Sequence, residues 1–543
     1  MTTTASQDQN HDFHDANFGL LRTLPNPLIY SDFKDKNGER KIVWDADAYQ
    51  FLSKECPDTA NESLWRQGRL CSATAGLYAV TDGIYQVRGL DIANMTIVQI
   101  PHTNGIVVID CLASNETARA GIELYQAENR DKHGIDAEIK ALIYTHCHKD
   151  HFGNARAVTK LANVASSVSD SLRIIGPDGF LEHAVSENIY AGPAMAHRAI
   201  YMYGEALEKS PKGQIGSGLG QAVYSGNSKT KAFFDTVLPS PDMLYFMYLI
   251  TSLLFCNFFL EVCPSSQWLT CPLTRLDRGT NSGHHRKRCP HTWYRRSGNH
   301  LPTDSGTEAP AEVNLFFPTY NALYAAENAI HTLHNIQTLR GAPVRDARMW
   351  SRYLDETIVL FGDKTDIVFA SHHWPTWNRK DGDVVKFLSE QHDYYAYLHN
   401  ESLRLLNDGQ TPLEIAETIQ MPPNLSTRTN LQGYYGSISH DVKGIYDKYM
   451  SWFDGNPAYL WPLAPADEAT EYVKCIGGAA AVLGLAQEYY ANRNFRFAAT
   501  LLDKLIFATQ SDPEQKDSDA SNQVKQTLIS VYTDLGYGAE NGT

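Results

Sequence analysis

Thr145-His146-Cys147-His148-Lys149-Asp150-His151-Phe152-Gly153-Asn154 sets three imidazoles and a carboxylate within six residues, His146 to His151. An apolar run at 141–144, read as a strand, precedes the stretch, and a helical pattern follows from about Ala155. In an extended loop alternate side chains point the same way. His146 and His148 can therefore share one cation, while Asp150 and His151 turn toward a second. Gly153 permits the sharp bend into the helix. Imidazole and carboxylate suit zinc and similar borderline cations. A lone His is usually a surface or core residue, but four candidate ligands at this spacing behind a strand point to a metal. A metal pair lowers the pKa of a water and makes hydroxide available near neutral pH. The motif therefore indicates a hydrolase without naming the bond it cuts.

Upstream the chain reads as β-rich. Gly76 to Val80 and Gly83 to Val87 are short apolar runs divided by Thr81-Asp82, a turn signal, and Met95 to Ile100 and Gly105 to Asp110 repeat the pattern. Thr117 to Gln126 reads as a helix ahead of the strand Ala141 to Tyr144. Strands first, then strands alternating with helices, give an α/β (α+β) sandwich as the fold class.

From about Phe387 the pattern turns helical. Thr411-Pro412-Leu413-Glu414 is a capping box with Pro at the first helical position. Ala498, Leu501, Leu502 and Leu505 recur at helical spacing on one face. Gly477-Gly478-Ala479-Ala480-Ala481 offers small residues across which helices could approach closely. An all-helical second domain is expected, either a plain bundle or an interface.

Length and composition agree with this division. At 543 residues the chain exceeds one ordinary domain, and 43% hydrophobic content leaves ample core. A formal net charge of −15 disfavours nucleic acid, which needs clustered Lys and Arg. It permits an anionic substrate, because a local cation outweighs the global field. Residues 1–17 are polar with no apolar segment, so no secretory signal is read there. Nine cysteines without a regular framework are read as buried small hydrophobes or surface thiols. Together these lead to a cytoplasmic, reducing location as the expectation.

Residues 239–305 do not belong with their surroundings. The uncharged apolar run 243–260 is about long enough to cross a bilayer, yet it sits inside a soluble catalytic pattern. A basic patch, His284-His285-Arg286-Lys287-Arg288-Cys289, follows it. Shifting the codons of 293–305 by one base permits a turn and then an alternating strand ending in Thr-Pro. The segment is accordingly read as a gene-model error, with a real transmembrane helix as the alternative, and no integral membrane span is expected. A misread strand here is expected to disturb folding or the placement of Glu308.

Downstream lie Gly306-Thr307-Glu308-Ala309-Pro310-Ala311-Glu312, Ala326-Glu327-Asn328, His331-Thr332-Leu333-His334-Asn335, Thr338-Leu339-Arg340-Gly341-Ala342 and Ser371-His372-His373-Trp374-Pro375. The HxHxDH stretch resembles the signature of the metallo-β-lactamase superfamily, and the whole set resembles its alkylsulfatase branch, where glutamates replace the usual ligands. Further matches are Glu182 to Asn188, Tyr201-Met202-Tyr203-Gly204, Gly433-Tyr434-Tyr435-Gly436, Trp452 to Pro457 and Gly536 to Gly542.

That resemblance implies an αββα sandwich with two zinc ions, or similar divalent metals, at the sheet edge. It implies His146, His148 and Glu308 on one ion, with Glu312 the rival of Glu308. Asp150, His151, Glu327 and His372 fall to the other, His372 being preferred to His373. Asp150 and Arg340 carry catalysis, and Arg340 and Tyr446 bind sulfate; the alternatives are a structural salt bridge for Arg340 and plain packing for Tyr446. A guanidinium fork suits a tetrahedral oxyanion. The implied layout is a catalytic domain over 1–386, a helical homodimerisation domain over 387–535, and at 536–543 the start of a truncated sterol-carrier-like domain. The implied reaction is hydrolysis of linear, dodecyl sulfate-like alkyl sulfates. The alternatives are a hydrolase of another ester on the same fold and a catalytically impaired lipid-binding relative.

Overall fold

The computed structural model describes residues 4–161, 172–204, 206–221, 306–380, 382–510 and 518–542. The segment 239–305, and with it the reading of a gene-model error, lies outside the described residues. Among the described residues no helix is long and apolar enough to cross a membrane.

The first sheet has seven strands in the order Leu20–Thr23, Gly76–Thr81, Ile84–Arg88, Met95–Gln99, Gly105–Ile109, Glu138–Ile143 and Arg173–Ile175. Pairing is antiparallel as far as Gly105–Ile109 and parallel beyond it. A parallel step needs a crossover, and the helix Asn115–His133 provides it. It runs longer than the apolar spacing alone suggested. Ser114 caps its start by accepting from the Thr117 amide, and Gly134, at φ +77°, ends it in the left-handed conformation.

The second sheet runs Leu315–Phe317, Ala322–Tyr324, Ile367–Phe369, Thr376–Trp377. Val80, Ile84, Val98, Val107, Leu315, Phe317, Ala322 and Ile367 form the apolar layer between the two sheets. Outside the first sheet, Ala118, Ile122 and Tyr125 of the crossover helix cover Val87, Ile97 and Val108. Outside the second, Trp350, Leu354 and Phe361 of the helix Ala347–Phe361 cover Phe316, Leu323 and Val368. This is the αββα sandwich. Truncating a side chain as buried as Leu354 to Ala would cost about 2–5 kcal/mol.

The helix Asp383–Asn407 packs on Ala347–Phe361 and shares its apolar cluster with the second sheet. It therefore runs across the boundary expected at 386/387. A separate cluster lies among Pro465–Ile476, Ala479–Ala491, Phe495–Gln510 and Asp519–Gly536, where Ala498, Leu501, Leu502 and Leu505 are all buried, as their spacing implied. The capping box at Thr411 forms in full. Gly477 and Gly478 depart from expectation. They take φ +112° and +95° and form the turn between two helices, so they present no close-packing face.

Candidate metal centre

Strand direction assembles the site. Gly105–Ile109 and Glu138–Ile143 run parallel, so Asp110 and the loop carrying His146, His148, Asp150 and His151 emerge at one edge. The Asp110 amide donates to Ile143 O at 2.8 Å, and the Cys111 amide to His151 O at 2.9 Å. In the other sheet Ala322–Tyr324 and Ile367–Phe369 are also parallel. Glu327 and His372 are each the third residue past the end of these strands, and the Ser371 amide donates to Ala326 O at 2.8 Å. Glu308 arrives on a segment that pairs with the motif, with the Val313 amide donating to Thr145 O at 3.0 Å. Positive φ at Asp110, Ala326 and His373 marks backbone held in a costly conformation around this edge.

Every metal ligand implied by the resemblance meets here. The ligand atoms of His146, His148, Glu308 and Glu327 all lie within 4.8 Å of one another, as do those of Asp150, His151 and His372. His148 Nδ1 is 3.0 Å from Glu308 Oε2. Glu327, expected with the second group alone, reaches both. Its Oε2 is 3.3 Å from His146 Nε2, 3.4 Å from His151 Nε2 and 3.1 Å from His372 Nε2. Asp150 Oδ2 lies 3.1 Å from His151 Nε2, and Asp150 is the most exposed side chain of the group at 23%. The site therefore opens beside it.

The donor set fits divalent cations. Nε2 of His146, His151 and His372 and Oε2 of Glu308 are buried with no hydrogen-bond partner among the described residues. The opposite ring nitrogens are engaged. His151 Nδ1–H donates to Asp110 Oδ2 at 2.8 Å and His372 Nδ1–H to Ile92 O at 2.8 Å. His146 Nδ1–H donates to Thr145 Oγ1 at 3.0 Å, and that hydroxyl donates on to Asp110 Oδ2 at 2.8 Å. Such outer contacts fix the tautomer that leaves Nε2 free for a metal. Unpaired buried polar atoms are costly, and cations in this cluster would satisfy them.

Neighbouring charges keep the carboxylates ionised. Burial and Glu327 push the Glu308 carboxyl upward, but His148 and Arg345 overcome them and hold it below its usual range. Burial also opposes ionisation of Glu327, and His372 with the His146 and His151 contacts holds it well below. Arg345, itself buried, donates through Nη2 to Glu308 Oε1 at 2.6 Å. Glu312 plays another part from the ligand role weighed for it. It accepts from the Glu327 amide at 3.0 Å and the Ala309 amide at 3.3 Å, bracing both glutamate-bearing loops. Burial beside Glu308 pushes its carboxyl up to about 8. Glu308 itself stays in the cluster, contrary to the displacement expected from the odd preceding segment. His373 turns away from the cluster, accepting from the His331 amide and facing Gly218 O, so of the pair it is His372 that joins Asp150 and His151.

Arg340 stands next to this cluster. Its Nη1 and Nη2 each lie 3.3 Å from Glu187 Oε2, and Nη1 is 3.3 Å from Met195 Sδ. Glu187 sits in a single π-helical turn, Ser186–Tyr190, a feature frequent at functional sites. Its Oε2 is 3.7 Å from His148 Nε2, so one carboxylate touches both the guanidinium and a ligand imidazole. Burial opposes ionisation of Glu187, yet His148 and Arg340 hold it down to about 2. The hydroxyls of Tyr203 and Tyr435 lie 3.4 Å apart within electrostatic reach of Arg340. Tyr446 takes no such place. It packs into the apolar cluster with Trp350, Leu398 and Ile445, because its position on the helix Ile438–Met450 faces that cluster.

Asp110, Glu187, Arg345, Tyr203 and Tyr435 were not singled out from the sequence. A carboxylate directly after an apolar strand was the available signal for Asp110. Glu187, Tyr203 and Tyr435 sat unassigned inside stretches already matched to a family.

Residues 88–372 match the metallo-β-lactamase superfamily, and residues 411–543 match the alkyl sulfatase dimerisation family. A linear primary-alkylsulfatase of Pseudomonas is 38% identical over 98% of this chain and 68% of its own length. An alkyl/aryl-sulfatase of Saccharomyces cerevisiae is 35% identical over 98% of this chain and 71% of its own. Among solved structures, the stereoselective inverting sec-alkylsulfatase Pisa1 of Pseudomonas superposes with a TM-score of 0.77 at 32% identity, covering 100% of this chain and 75% of that one.

Proposed function

Since this chain belongs to the alkylsulfatase family of the metallo-β-lactamase superfamily, and is thereby a sulfuric ester hydrolase, we propose that it acts on linear alkyl sulfates at a pair of zinc ions. The reaction consumes water and the ester R–O–SO3⁻ and yields the fatty alcohol and hydrogen sulfate. The observation that carries this reading is the adjacency of two ligand groups sharing Glu327 to a guanidinium, Arg340. The similarity to a linear primary-alkylsulfatase supports an unbranched primary ester as the first substrate to try.

When bound, the metals lower the pKa of water and screen the ester's charge. The protein's own groups do the rest. Arg340 presents a planar fork of N–H donors to the sulfate oxygens. Glu187 holds that fork in place without itself being a donor to the ester. Asp110 orients His151 directly and His146 through Thr145. The Ile92 carbonyl orients His372. Three ionised carboxylates, Asp150, Glu308 and Glu327, would balance most of the charge of two divalent cations, and the remainder favours an anion there, while Glu187 offsets the charge of Arg340 and leaves its N–H donors to direct the sulfate. Release of inorganic sulfate from dodecyl sulfate tests the assignment directly.

The molecule is further read as a homodimer built through its C-terminal helices. The alkyl sulfatase dimerisation match supports this, and so does an exposed apolar group there: Trp452, Tyr459, Leu460, Leu463 and Trp461, the last 94% exposed. Patches of this kind mark interfaces.

A further inference from the structure

Between the loop 88–94 and the residues that follow His372 lies a small cavity of about 40 Å³. Leu70, Cys71, Arg88, Asp91, Asn94 and Trp374 are among the side chains lining it. Two of these carry N–H donors that nothing among the described residues accepts. Arg88 is 7% exposed; its Nη2 donates to Phe18 O at 3.1 Å, and its guanidinium stacks 3.6 Å from the Tyr78 ring centre. Its Nε and Nη1 have no partner. Trp374 is 4% exposed, and its Nε1 has no partner either. The Asp91 carboxylate and the Asn94 amide nitrogen are committed. Asp91 accepts from the Ile92 amide with Oδ1 at 2.7 Å and from the Ala113 amide with Oδ2 at 2.5 Å, and makes no ion pair with Arg88. Asn94 Nδ2 donates to His373 O at 2.8 Å.

The fully buried side-chain atoms of the lining that lack a partner among the described residues are all N–H donors, two of them on a guanidinium, and they ask for a ligand that accepts. Water could take the hydrogen bonds, but it would leave the buried guanidinium charge to be offset only at longer range by Asp15, and an incompletely paired buried charge is costly. Tyr78 offsets part of that charge through its ring face. The volume equals about three water positions, room for a halide or a compact oxyanion.

We propose that Arg88 and Trp374 form a buried site for a compact inorganic anion of chloride size, separate from the sulfate-binding arginine. The site bears on the metal centre through two short connections. Trp374 follows His372 by two residues, and Ile92, in the loop between Arg88 and Asn94, supplies the carbonyl that holds His372 Nδ1. An anion tying Arg88 to Trp374 therefore clamps both segments that set the position of His372.

Crystals of the full chain soaked in bromide test this without any mutation. The expected result is an anomalous peak within hydrogen-bond distance of Arg88 Nη1 or Nε and Trp374 Nε1. A parallel soak in sulfate separates sources: sulfate density there, with bromide excluded, keeps the site and makes the reaction product its occupant. In solution, chloride is expected to raise Tm relative to gluconate at equal ionic strength, and Arg88→Met or Trp374→Phe to abolish that difference. A cavity that holds only water under both soaks, with equal Tm in chloride and gluconate, would overturn the proposal.

Discussion

Glu187 Oε2 lies 3.3 Å from each terminal nitrogen of Arg340, so the arginine proposed to bind sulfate is held by a carboxylate that is itself 4% exposed. If Arg340 grips the ester, Arg340→Ala should lower kcat/KM on dodecyl sulfate by roughly 100-fold, the scale of a lost charge-assisted fork. Glu187→Gln should show a smaller loss, mostly in KM. Added to Arg340→Ala, it should cost little more, because its effect passes through the arginine. Independent, fully additive losses would show that the two side chains do not act together.

Asp110 is the shared anchor of His151 and, through Thr145, of His146. Asp110→Asn should weaken metal binding about 10- to 100-fold while leaving the ligands in place. Competition with a fluorescent chelator measures it. Unchanged affinity would mean that neither imidazole needs this contact.

Asp441 is buried in the helix Ile438–Met450, accepting from the Ile336 amide at 2.7 Å while Oδ2 has no partner. Burial pushes its carboxyl well above the ordinary 3.8, against the pull of the Ile336 contact and Arg345. The native state thus binds a proton that the unfolded chain releases above that ordinary value. Stability from this group is therefore full below it and declines as pH rises toward the folded pKa. Asp441→Asn, a neutral mimic of the protonated acid, should flatten this decline with rising pH in urea unfolding. A variant that loses stability with pH as steeply as the parent would contradict the assignment.

The exposed Trp461, Leu460 and Trp452 predict self-association. Light scattering at micromolar concentration should give the mass of two chains, and Trp461→Glu with Leu460→Glu should shift it toward one. A monomeric parent protein would remove the dimer from the account.

What could be read from the chain divides by distance along it. His146, His148, Asp150 and His151 were legible because loop geometry alone brings them together. Glu308, Glu327 and His372 lie far downstream, and only the resemblance reached them. Their convergence depends on parallel pairing of Ala322–Tyr324 with Ile367–Phe369, which no local pattern encodes. The double role of Glu327 is invisible for the same reason, since bridging is a relation among three loops. Tyr446 was misplaced because a family position does not say which way a helix faces. The Gly477-Gly478 pair looked like a packing face, and its positive φ angles make it a turn.

The central claim is metal-dependent cleavage of an alkyl sulfate, and one assay reaches it most directly. Inorganic sulfate released from dodecyl sulfate is measured with zinc-loaded protein, with the same protein after chelator, and with His148→Ala, alongside metal content per chain. The account predicts two metal ions per chain and turnover that chelator abolishes and zinc restores, with the His148 variant retaining less than about 1% of parental activity. Sulfate release that survives chelator, or a His148→Ala variant as active as the parent, would contradict it.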